Sequence, residues 1–259
     1  MTSKLSAALA AASLAFGGTA AAHDTWFAPL PSPAGEAQFA LGTGNRFPVT
    51  DLAVDPRYFT RAGCRGADGR PHGLQMLRYT DTTTLLRVAS VPRAALTCFM
   101  QLEPFEFELP PDRIEVYFAE IRPDEAVLAA WAGLRARGLP FVERYTKSAR
   151  IDGPDAPARP VGTAMDVLRE APAGPLAAGA EAVFQVLRDG RPLARFNVEL
   201  VHEAGATAQW LRTDEQGRVR TRLPQAGRWL LRGTDLRLRA DDATRWDSKF
   251  ITYAFDVAR

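Results

Sequence analysis

Histidine and cysteine are the scarce residues of this 259-residue chain, with three of the first and two of the second, alongside only four methionines. So few histidines, without a methionine-rich tract, argue against high-capacity metal storage. Catalytic signatures are also missing. There is no Gly-x-Ser-x-Gly elbow and no P-loop, and His202-Glu203-Ala204-Gly205-Ala206 fails the zinc-protease pattern because alanine stands where the second histidine belongs. Gly42 and Gly44 lack the third glycine of a nucleotide loop, and Pro48 interrupts where its helix would begin. An enzyme is therefore not expected. Neither sign of charge dominates, the net being +2. The most basic stretch, 218–239, carries seven arginines, but Arg218, Arg220 and Arg222 alternate with Val219, Thr221 and Leu223, as on the solvated face of a strand. Nothing here calls for a nucleic-acid partner.

What is present begins with a leader. Lys4 supplies a positive start, 5–16 a short apolar core and Ala20-Ala21-Ala22 a small-residue end, the pattern of a Sec-type signal peptide over 1–22. The core falls short of the roughly 20 residues that span a bilayer, and no other stretch of that length lacks charge. The expectation is a periplasmic mature chain with no stable membrane insertion after cleavage. In that oxidising compartment Cys64 and Cys98 are most simply read as one disulfide, contributing about 3–4 kcal/mol on the chain-entropy model. A thiolate metal site or a catalytic cysteine would want a Cys-x-x-Cys spacing or a histidine pattern nearby, and the chain has neither.

From residue 36 the pattern is one of short strands. Candidates are 37–41, 56–64, 74–79, 84–89 and 96–102, with Gly42-Thr43-Gly44-Asn45 read as a turn. Phe105, Phe107 and Leu109 alternate with Glu106 and Glu108. Helical spacing then appears at Ile114, Tyr117, Phe118 and Ile121, with Asp112 and Glu115 in the form of a capping box. A second helix is expected after Pro123, with Val127, Leu128, Trp131 and Leu134 inward and Gly138 as its stop. A strand over 141–150 leads into the proline-rich 152–160. Beyond it, seven short strands with hairpin turns at Asp189-Gly190 and 214–217 predict an immunoglobulin-like or transthyretin-like sandwich. The fold class expected is all-β, with two β-sandwich domains and one or two short helices near 112–137 at the end of the first. The division is a β-rich domain over 23–151, a linker over 152–160 and the second sandwich over 161–259.

If the leader is cut after Ala22, His23 becomes the amino terminus. Its α-amine and imidazole Nδ1 can then chelate one metal ion in a six-membered ring. A second imidazole, from His202 or His72, would complete a three-nitrogen set suited to copper or nickel. Asp24 and Glu203 are candidate oxygen donors or partners that fix an imidazole tautomer. Binding requires loss of the amine proton, so affinity should fall below neutral pH. Trp26 and Phe27, so close to the new terminus, are expected to be buried and to stop it from fraying.

Several motifs occur in an order that resembles the DUF4198 family: His23-Asp24-Thr25-Trp26, Leu41-Gly42-Thr43-Gly44-Asn45-Arg46-Phe47-Pro48, Glu143-Arg144-Tyr145-Thr146-Lys147-Ser148-Ala149, Asp189-Gly190-Arg191-Pro192-Leu193-Ala194, Thr213-Asp214-Glu215-Gln216-Gly217-Arg218 and Trp246-Asp247-Ser248-Lys249-Phe250. The resemblance implies a periplasmic accessory component of nickel or cobalt transport, with a membrane transporter component as partner. The positions that could carry such a role are His23 and the polar set Arg144, Tyr145 and Lys147. Two rival readings stand beside it: a structural or protein-interaction module of the cell envelope, and a copper protein with a histidine brace.

Overall fold

The computed structural model describes residues 23–170, 174–205 and 208–259, so the expected leader over 1–22 lies outside the described residues. Strands dominate, and two α-helices interrupt them. The strands form three sheets. A five-stranded sheet holds Asp24–Leu30, Ala37–Gly44, Thr84–Val88 and Gln75–Tyr79 in that order, with Leu52–Ala53 on the side. A ten-stranded sheet runs Ala208–Arg212, Asn197–His202, Gly227–Leu238, Trp246–Ala258, Phe141–Asp152, Thr97–Leu102, Phe59–Arg65 and Pro71–His72, with Leu176–Ala177 beside Trp246–Ala258 and Phe105–Leu109 beside Phe141–Asp152. A four-stranded sheet is built from Met165–Arg169, Glu181–Arg188, Arg191–Pro192 and Arg218–Arg222.

The large sheet is the middle layer, and the two-residue period of its strands explains why. Trp229 and Leu231 join Phe184, Val186 and Val219 in the core beneath the four-stranded sheet, while Leu230 between them joins Trp26, Phe39 and Leu41 beneath the five-stranded one. Tyr253 and Phe255 face the first core and Ala254 the second. Both sandwiches therefore share one sheet, the architecture being all-β with short helices inserted. The join is the parallel pairing of Phe141–Asp152 with Trp246–Ala258, strands from opposite sides of the proline-rich segment 152–160. That segment is packed in place: a Cβ on Gly153 would lie 2.1 Å from the Arg93 carbonyl oxygen, and the Arg159 carbonyl accepts a bond from Arg150.

The expected disulfide forms between Cys64 and Cys98, which sit opposite each other on antiparallel strands. Three local expectations need correction. Gly42-Thr43-Gly44 is strand rather than turn, because Asp24–Leu30 pairs with it as far as Gly44. Its glycines permit close approach, since a Cβ on Gly44 would fall 2.3 Å from the Val49 carbonyl oxygen and 2.9 Å from the Trp26 ring. Helix α1 (Pro111–Ile121) begins at proline, whose fixed φ and missing N–H suit a first turn, so Pro110 is its N-cap and no side chain caps it. Asp112 lies inside the first turn instead. In α2 (Glu125–Ala136), Trp131 and Leu134 are buried, but Leu128 is 44% exposed because the apolar stripe is narrower than its spacing implied. Both helices cover Phe141 and Trp246.

Candidate functional site

Sequence-distant motifs meet where Asp24–Leu30 crosses the middle sheet. Asp24, Thr25 and Trp26 pair with Gly44, Thr43 and Gly42, placing the first motif on the second. Beneath them Glu143, Tyr145 and Lys147 pair with Trp246, Ser248 and Phe250, placing the third on the last. The crossing is tied by polar bonds: Lys147 Nζ donates to the His23 carbonyl, and Thr252 Oγ1 donates to the Thr25 carbonyl. Trp26 and Phe27 are buried as expected, so the amino-terminal segment is anchored.

Around this crossing lies a seam of buried charge. Asp24 accepts from Arg232 at 2.6 Å, and Arg232 also pairs with Glu199 at 2.6 Å. Burial pushes the Asp24 carboxyl up, against the pull of Arg232. Glu143 accepts from Tyr117 at 2.9 Å and from Ser248, while its Oε2 is buried with no partner. Burial among aromatics raises its pKa to about 7. Burial also lowers Lys147 to about 8, although Asp24 and Glu143 favour its charged form. The Lys147 ammonium lies 5.4 Å from the Tyr145 ring and 5.6 Å from that of Phe250. His23 is partly buried, and its imidazole is held below its ordinary pKa by burial and by Lys147, with Asp51 and Asp24 opposing. At neutral pH the ring is therefore uncharged, the form that can donate a lone pair.

The other expected ligands are not brought to it. His202 is buried, with its ring 4.8 Å from that of Trp229. Its Nε2 donates to the Ala226 carbonyl at 3.0 Å, and its Nδ1 accepts from the Ala204 amide at 3.1 Å and from Gln225 at 2.8 Å. Both nitrogens are occupied, making His202 a satisfied core histidine. Glu203, the other candidate oxygen donor, accepts from the amide and guanidinium of Arg228. His72 lies on the outermost strand of the middle sheet, three strands from that of Lys147, which holds His23, or about 15 Å along the sheet at the usual spacing. Among the described residues no group of three or more His, Cys, Asp or Glu is placed to hold a metal ion. The three-nitrogen brace does not fit these residues, and Asp24 is engaged by Arg232. Of the polar set, Arg144 makes a bidentate pair with Asp247 and Tyr145 packs between Phe105 and Phe250.

Sequence reasoning missed Glu143, Arg232, Glu199 and Ser248. A signal existed for the first: Glu143, Tyr145 and Lys147 alternate in phase with Phe141 and Ala149, which places them on the inward face of one strand.

Shared-sheet sandwiches with a tethered amino-terminal strand over an ionic seam define a layered all-β protein with short inserted helices. The chain belongs to the DUF4198 family, a domain of unknown function, whose pattern matches residues 20–234. No curated protein matches it.

Proposed function

We propose that this is a periplasmic accessory protein that takes up a single divalent transition-metal ion, nickel or cobalt with copper as competitor, through the α-amine and Nδ1 of an amino-terminal His23. The observation that carries the reading is the tether. Lys147 holds the His23 carbonyl, and Trp26 is buried two strand positions beyond Asp24, so a chelate formed there would be presented in one place. Ordering before binding reduces the entropy cost of capture. The neutral imidazole supports the same reading, and Asp51 is the neighbouring carboxylate with no arginine upon it among the described residues. A two-nitrogen site with open positions suits a carrier that must release its ion. Calorimetric titration of nickel and copper into protein beginning at His23, and into protein with one extra amino-terminal alanine, tests this. Binding by the first alone is expected; equal binding by both, or by neither, sinks it.

One observation favours a second reading, an interaction module. Gln75–Tyr79 is an edge strand exposed along its whole length, with Met76, Leu77 and Tyr79 each about half exposed. Such an edge can pair with a strand of another protein. Loss of envelope cross-links in Leu77→Lys, with the fold intact, would support it, and unchanged cross-links would count against it.

A further inference from the structure

We infer that copies of this chain associate head to tail, the strand Phe105–Leu109 of one copy adding antiparallel to the strand Arg218–Arg222 of the next. The inference does not rest on the metal reading. Among the described strands, Phe105–Leu109 pairs only with Phe141–Asp152, and Arg218–Arg222 only with Glu181–Arg188. Each therefore turns one edge of its backbone outward, where a further strand can complete a ladder.

Charge selects which edges meet. The segment 103–112 holds four acids and no base, while Arg218-Val219-Arg220-Thr221-Arg222 holds three bases and no acid. Like charges set opposite each other on neighbouring strands are destabilising and opposite ones stabilising. Two copies of either edge thus repel, and one of each attract. The alternation matches as well: Glu106 and Glu108 lie on one face of their strand, Arg220 and Arg222 on one face of theirs, and each pair is spaced by about 7 Å along the strand.

One antiparallel register uses both pairs, with Glu108 facing Arg220 and Glu106 facing Arg222. Glu108 and Arg222 are exposed, and neither side chain meets an opposite charge among the described residues. Arg220 has only Glu181, at 3.8 Å, with both side chains more than half exposed. Glu106 already accepts from Arg239 and Arg245, so the new pair at Glu108 carries the larger share. Arg218, held by Glu170 at 2.7 Å, falls opposite Pro110, beyond the paired residues. On the other face Phe107, whose ring is 39% exposed, comes to lie beside Thr221, an aromatic and β-branched neighbour pair of the kind that stabilises sheets. A contact between two different edges leaves one of each unused in every pair. Such pairs extend into chains or close into rings.

The test is sedimentation equilibrium of the full mature chain from micromolar to about millimolar concentration. Ionic strengths of about 0.01 M and about 1 M are compared, where the Debye length is roughly 30 Å and 3 Å. The mass should rise with concentration at low salt and return to that of one copy at high salt. Glu108→Arg and Arg220→Glu, both exposed changes, should each weaken association about tenfold or more, with circular dichroism unchanged. The chain carrying both, in which the two charges are exchanged, should associate as the native chain does. Leu77→Lys, on the exposed edge Gln75–Tyr79, should leave association as it was. A native chain that stays single throughout, association that survives high salt, failure of the exchanged pair to restore what either change alone removed, or loss of association in Leu77→Lys would overturn the inference.

Discussion

Lys147 donates its ammonium to the carbonyl oxygen of His23, fastening the start of the described chain to the middle sheet. The two residues are 124 positions apart, and the bond is possible because Lys147 points from the strand that the amino-terminal segment crosses. Lys147→Met keeps an apolar stem over Tyr145 and Phe250 but removes the donor. The amino terminus should then open more often, and aminopeptidase should remove His23 about tenfold faster, the scale of one charge-assisted bond. Mass spectrometry of timed digests measures this, and an unchanged rate would mean that the bond holds nothing.

His202 offers a control for the metal reading. Its ring satisfies the Ala204 amide and the Ala226 carbonyl while covering Trp229. His202→Phe should cost about 1–3 kcal/mol of unfolding free energy, the usual result of leaving buried polar groups unpaired. Nickel affinity of the His23-initiated protein should not change. A loss of affinity at full folding would return His202 to the ligand set.

Much of the fold was legible because strand period and turn chemistry are local. The hairpin at Asp189-Gly190, both residues with positive φ, and the burial of Trp26 and Phe27 could be read directly. Partners supplied by distant strands could not. Asp24 looks like an oxygen donor until Arg232, 208 residues on, reaches it. His202 looks available until Gln225 and Ala226 close on its nitrogens. The parallel pairing of Phe141–Asp152 with Trp246–Ala258, which makes one sheet serve both sandwiches, leaves no mark in either segment taken alone.

Where that shared sheet meets the 152–160 segment, Arg150 is buried between two acids. It forms a bidentate pair with Asp152 and reaches Asp166 at 2.9 Å, while Tyr253 donates to Asp152. Arg150→Met leaves two buried carboxylates facing each other and should destabilise by about 3–5 kcal/mol in urea unfolding. Adding Asp152→Asn to that variant should recover part of the loss. Full additivity of the two changes would show that the residues do not act as a unit.

The ionic seam also sets a pH dependence of opposite sign on its two sides. Glu143 has a folded pKa of about 7 against an ordinary 4.5, so between those values the folded state keeps a proton that the unfolded chain has lost. Its contribution to stability is present below that window and lost as pH rises through it. Lys147 has a folded pKa of about 8 against 10.5, so there the unfolded chain holds the extra proton and stability recovers as pH rises. Glu143→Gln mimics the protonated acid and should remove the first slope alone. Urea unfolding of both proteins at pH 5 and pH 8 should show the native chain losing up to about 3 kcal/mol more than the variant. Parallel losses in the two would place the titration elsewhere. If the difference appears, Glu143 is neutral in the folded protein below pH 7, kept so by burial against the pull of the Tyr117 and Ser248 hydroxyls that donate to it beside the His23 tether.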